Sequence, residues 1–250
     1  MNKKLKEVIA TRSPNLICIY AESLTEPTQK ELENIAWALA QIGEGQYIYY
    51  FAEKIPNAPI EFLTNAMANT DDSFYIVEFA KNIKGADIEV LAKAVSRIGD
   101  ETDILKFAKN VENAPIDILA EGIANTRNGK AIHAFATWIK NPPIAILERG
   151  IVESCDAESI CSFARDVQGS SIENLAVAVA KTGNGKFINY FAENIPKAPT
   201  YRLAIAMAEL DDEYEIQRFS QNTMHIPVKE FLRTYSTRLF EPDEDEDCLF

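Results

Sequence analysis

Two histidines and four cysteines make up the sequence's stock of nitrogen and sulfur ligands. Cys155 and Cys161 are separated by five residues, a spacing that matches no zinc signature, and only His133 and His225 are at hand to assist them. Cys18 and Cys248 stand far from both. There is no GxSxG, no HExxH, no phosphate-binding loop and no dinucleotide-binding glycine pattern. The reading is therefore of no catalytic residue, no metal site and no cofactor: a protein that is not an enzyme, with structural thiols. The side chains that do suggest a task are aromatic and cationic, the composition of protein-binding hot spots. They are Tyr47, Tyr50, Phe74, Tyr75, Lys106, Lys109, Trp138, Arg165, Phe187, Tyr190 and Tyr214. What joins these scattered residues is a repeat.

Phe occurs at 51, 79, 107, 135, 163, 191 and 219, and every interval is 28 residues. Counting each Phe as position 1, apolar residues recur at positions 10, 13 and 17, as in Ile88, Leu91 and Val95. Small residues flank them, as in Ala92 and Ala94. A second apolar set falls at position 26 and at positions 1, 2 and 5 of the next unit, as in Ile104, Phe107, Ala108 and Val111. Spacings of three, four and seven are a helix period. Each repeat therefore holds two amphipathic helices of about ten residues. Upstream, Tyr20 to Tyr50 fits as a 31-residue unit with a longer first loop.

The punctuation agrees. Position 22 is Asp72, Asp100, Asn128, Asp156, Asn184 and Asp212, all residues that cap the free amides of a helix start. Position 21 is Gly43, Gly99 and Gly183, and position 7 is Asn57, Gly85, Asn113, Asn141 and Gly169. These types accept the left-handed conformation that ends a helix. Position 9 is Pro59, Pro115, Pro143 and Pro199, with proline expected in the first helical turn and Asp87 and Ser171 as caps.

Neither helix of such a pair can bury its stripe alone, whereas stacked pairs can. The fold class read from this is all-α: an α-solenoid of about eight two-helix repeats. Residues 1–19 are expected to form an N-terminal capping helix region, 20–240 the repeats, and 241–250 a disordered acidic tail. The pattern resembles the short HEAT-like and TPR-like helical-hairpin repeats. Its period is below the 34 of TPR and the 40–47 of HEAT and armadillo, and is closest to the short HEAT-like repeats named after phycobilisome lyases. The resemblance implies a binding scaffold and carries over no catalytic residue.

On the second helix, positions 24, 25, 28, 3 and 4 face outward and hold the aromatic and cationic set named above. Two readings stay open: a recognition surface, or rings that pack between neighbouring second helices. At position 12 of the first helix stand Phe62, Val90, Ile118 and Ile146, as lateral packing or as an apolar patch that makes a homodimer. The asparagines at position 4, Asn82, Asn110, Asn194 and Asn222, also have two readings: they satisfy carbonyls near helix ends, the favoured one, or form a ladder that reads a peptide backbone.

Charge narrows the partners. The 250 residues carry a net charge of −13, which disfavours nucleic acid and anionic membrane surfaces. Six of the seven residues from Glu241 to Asp247 are acidic, and the chain then ends in Leu249 and Phe250. That ending is similar to the C-terminal tips of single-stranded DNA-binding proteins. The similarity makes Leu249 and Phe250 tail-docking candidates, and the other reading is a plain solubilising tail. The longest apolar runs are about six residues, against the 20 a membrane helix needs. No secretion signal follows the first lysines, so a cytoplasmic location is expected. The leading functional reading is a non-catalytic scaffold for a protein or peptide partner. The alternatives are an acidic inhibitor, of a phage or immunity type, that blocks a basic or nucleic-acid-binding enzyme, and an RNA-binding solenoid.

Overall fold

Short polar residues at fixed repeat positions start and stop the helices. In the computed structural model, which describes residues 3–236, those residues form 17 helices and no strand. The side chains of Asp72, Asp100, Asn128, Asp156, Asn184 and Asp212 each accept a hydrogen bond from a backbone N–H in the turn that they open. Asp87 and Ser171 do the same for first helices. The position-9 prolines differ from expectation by one residue. They stand at the N-cap itself, just before the first turn, where the locked φ near −75° suits the non-helical cap conformation and no N–H is left unpaired. Position 7 has positive φ in seven consecutive repeats, from 52° at Asn141 to 86° at Gly85 and Gly169. Lys197 adopts it too, which shows that the loop geometry overrides residue preference there.

The described residues fall into two compact units, one ending at Thr126 and the other starting at Arg127. The first unit holds α1 (Lys3–Ala10), α2 (Pro14–Glu22), α3 (Gln29–Ile42), α4 (Gly45–Lys54), α5 (Ile60–Ala68), α6 (Ser73–Asn82), α7 (Ile88–Ile98), α8 (Glu101–Asn110) and α9 (Ile116–Asn125). Within it α2, α4, α6 and α8 lie side by side in one layer, and α3, α5, α7 and α9 in another. The second unit holds α10 (Gly129–Trp138), α11 (Ile144–Glu153), α12 (Ala157–Asp166), α13 (Ile172–Lys181), α14 (Gly185–Asn194), α15 (Thr200–Ala208), α16 (Glu213–Asn222) and α17 (Val228–Tyr235). Its layers are α10, α12, α14, α16 and α11, α13, α15, α17. This is the stacked two-helix packing of an α-solenoid.

The core is the repeat itself. All seven Phe at position 1 are completely buried. So are Leu63, Leu91, Leu119, Leu147, Leu175 and Leu203 at position 13, and Ile48, Ile76, Ile104, Ile132, Ile160 and Ile188 at position 26. Burying one such side chain contributes about 1.5–3 kcal/mol. Missing side chains let neighbouring helices of one layer approach closely. A Cβ on Gly122 of α9 would lie 2.6 Å from Cβ of Ser96 on α7, and one on Gly129 of α10 would lie 2.6 Å from Cβ of Ser159 on α12.

Position 27 adds a polar tie that the apolar pattern hides. Cys18 reaches the carbonyl of Tyr47 at 3.9 Å, Cys161 that of Phe187 at 3.6 Å, and the Asn189 amide donates to that of Glu215 at 2.9 Å. Each bond joins a second helix to the first turn of the next one. Phe107→Ala should destabilise the protein by about 3–5 kcal/mol, the cost of emptying a filled aromatic site. Urea denaturation followed by circular dichroism measures it, and a loss below about 1 kcal/mol would mean that the ladder does not carry the core.

Candidate recognition surfaces

The outward face of the second helices is a set of local networks rather than a free stripe. In the first unit, α6 and α8 bring Phe74, Tyr75 and Lys106 together. The rings of Phe74 and Tyr75 meet edge to face at 5.1 Å, and Lys106 sits over Phe74 at 5.9 Å. Lys106 also pairs with Asp103 at 2.9 Å, and that contact holds its ammonium above the ordinary lysine range. Asp103 is buried and also accepts from the Ser73 hydroxyl at 2.6 Å, so one carboxylate ties α6 to α8. Tyr50 donates to Glu22. Tyr47 is half-buried, and Lys109 is exposed. Tyr49, which the sequence reading passed over, has its ring tilted against that of Tyr75 at 6.0 Å and donates to Glu53 at 2.8 Å.

In the second unit, a polar chain crosses three helices. His133 on α10 lies 3.1 Å from Asp166 on α12, Arg165 grips the same carboxylate at 2.8 and 2.9 Å, and Arg165 donates to Tyr190 on α14 at 2.8 Å. The guanidinium beside Asp166 holds that carboxyl below its usual range, and the carboxylate in turn holds Arg165 charged. Arg218 continues the pattern by pairing with Glu193 at 2.7 Å. The Arg165 guanidinium, read from the sequence as a partner-binding group, is thus committed inside the chain. Phe187 and Tyr190 are half-buried. Phe74, Trp138 and Tyr214 remain on the surface, at 49%, 67% and 71% exposure.

The position-4 asparagines divide. Asn194 bonds the Tyr190 carbonyl at 2.9 Å, but Asn82 bonds the side chains of Glu78 and Tyr49 instead. Leu249 and Phe250 lie outside the described residues.

The first-helix layer holds a residue that the sequence reading missed. Trp37 on α3 is 56% exposed and lines three grooves of the first unit. The largest, about 760 Å³, lies between α3 and α5 and is shared with Phe62, itself 41% exposed. A partial signal was present: Trp37 occupies repeat position 15, which is polar as Asn65, Lys93, Glu121 and Arg149 but apolar as Val177 and Ile205. Of the other position-12 residues, Val90, Ile118 and Ile146 are half-buried.

No family model, curated protein or solved structure matches the chain. The reading of its surfaces therefore rests on their geometry. Among the described residues no cluster of three or more His, Cys, Asp or Glu is placed to hold a metal ion, and no helix is long and apolar enough to cross a membrane.

The thiols follow their burial. Desolvation, with a smaller contribution from Glu22, pushes Cys18 up to about 12, and desolvation does the same to Cys161. Cys155 is exposed. A thiolate is the reactive species, so at neutral pH the two buried thiols are inert. In a Cys248→Ser chain, a disulfide reagent should titrate one thiol in the native protein and three after denaturation. Fast reaction of a second thiol in the native state would show that α2 or α12 opens readily.

Proposed function

We propose that this chain is a non-catalytic scaffold that binds another protein, working in the cytoplasm. The observation that carries the proposal is the contrast between repeated and unrepeated positions. Core positions keep Phe, Leu and Ile from repeat to repeat, whereas the surface positions vary and leave large aromatic side chains in solvent. Phe74, Trp138, Tyr214, Trp37 and Phe62 each expose more than two fifths of their area. Single exposed apolar residues are ordinary, but aromatic residues are the commonest anchors of protein interfaces. A stack of helical hairpins presents such anchors on a rigid frame without needing catalytic groups.

One observation favours a second reading, in which the partner is a basic enzyme that the chain inhibits. Residues 20–78 carry two lysines against ten carboxylates, a net charge of −8 out of −13. Nucleic acid fits less well, because Arg165 and Arg218 already face carboxylates of the chain and phosphate binding requires free cations.

Affinity capture with the full chain identifies the partner, and calorimetry then measures its affinity. The triple variant Phe74→Ser, Trp138→Ser, Tyr214→Ser should weaken binding about tenfold or more, with an unchanged helical spectrum, because these side chains are exposed. Undiminished affinity would remove the second-helix face from the interface. A steep fall of affinity with added salt would select the inhibitor reading over a mainly apolar scaffold interface.

A further inference from the structure

Position 11 of the first helices is a carboxylate in several repeats, and the structure shows two ways of neutralising it. Glu89 on α7 pairs with Lys93, one turn later at position 15, at 2.6 Å. Glu173 on α13 pairs with Arg202, at position 12 of the next first helix, at 2.5 Å. Glu33 on α3 has neither cation. Its position-15 residue is Trp37, and position 12 of the next first helix is Phe62. Glu61 on α5 lacks both as well, with Asn65 and Val90 at those places. Neither Glu33 nor Glu61 has an ion pair among the described residues. Both carboxylates, both rings, Asn34 and Asn65 line the 760 Å³ groove between α3 and α5.

These facts belong together. At the places where Glu89 and Glu173 find a Lys or Arg, this groove has an aromatic ring, whereas Asp117 on α9 has Glu121 and Ile146 there; ring faces attract cations as carboxylates do. Leaving Trp37 and Phe62 in water forfeits the burial of two large apolar surfaces. We infer that the groove receives a Lys or Arg side chain from a basic segment of a protein partner. Its charged head lies between Glu33 and Glu61, and its aliphatic stem lies along Trp37 and Phe62. The surrounding stretch, residues 20–78 with a net charge of −8, draws such a segment in. The same charge turns away the two occupants nearest at hand. The chain's own C-terminal residues are acidic, and a second copy brings another net −13. This assignment rests on the protein-binding reading and names the chemistry of the partner.

The test uses the full chain and fluorescein-labelled oligolysine and oligoarginine peptides, with binding read by fluorescence anisotropy. Trp37→Ala and the double variant Glu33→Gln, Glu61→Gln should each weaken binding about tenfold, with an unchanged thermal midpoint, because all three side chains are on the surface. The double variant Glu26→Gln, Asp71→Asn removes the same charge from exposed positions outside this groove and should change affinity less than about twofold. Equal weakening in that control, or wild-type binding by Trp37→Ala, would show unspecific attraction to an acidic surface and overturn the site. Free spermidine binding as tightly as the peptides would overturn the peptide assignment. A captured protein partner that binds the groove variants as well as the wild type overturns the groove and leaves the scaffold. Groove-dependent peptide binding without any protein partner supports the cation site and removes the scaffold.

Discussion

No hairpin in this protein can bury its own apolar surface, and the rest of the structure follows from that. Helices of eight to fourteen residues are marginal in isolation. The Phe at position 1 is fully buried in every repeat because its helix is flanked within its layer and backed by the other layer. A gap of fixed width accepts a side chain of fixed size, so positions 1, 13 and 26 repeat as Phe, Leu and Ile. Position 17 changes only among Met, Val and Ile between Met67 and Met207, side chains of similar bulk. The same demand for close approach removes the Cβ at Gly122 and Gly129.

A framework held by its core leaves its charges free for other work, and a few of them tie neighbouring helices together. Asp103 joins α6 to α8, Asp166 joins α10 to α12, and Arg218 joins α16 to α14. Such ties contribute little individually when exposed. Their effect is to hold the outward side chains in defined positions. Exposed aromatic rings and unpaired carboxylates stand out against that background. On the α3 and α5 face an aromatic ring stands where Glu89 and Glu173 find an internal cation, and this is the groove we assign to a cationic side chain of a partner.

The helices and their ends were legible from the residues alone. Caps such as Asp100 and Asn184 act on amides two or three residues away, and the positive φ at Asn57 or Gly169 is a property of one loop. The Phe ladder was equally legible, because a strict period reports which face of each helix turns inward. Only the prolines at position 9 were placed one residue late, since a fixed φ suits both the cap and the first turn.

The state of the outward face was not legible in this way. Periodicity marks Arg165, Tyr190 and Trp138 alike as outward, yet Arg165 is held by Asp166 and Tyr190 while Trp138 stands in solvent. The difference lies in which side chain faces which across adjacent helices, between residues some 25–33 positions apart in sequence. It depends on helix spacing and rotation, quantities that packing sets and that no local pattern encodes. Trp37 was missed for the same reason. Its neighbour across the groove is Phe62 of the next first helix, and only their packing shows that both rings remain uncovered.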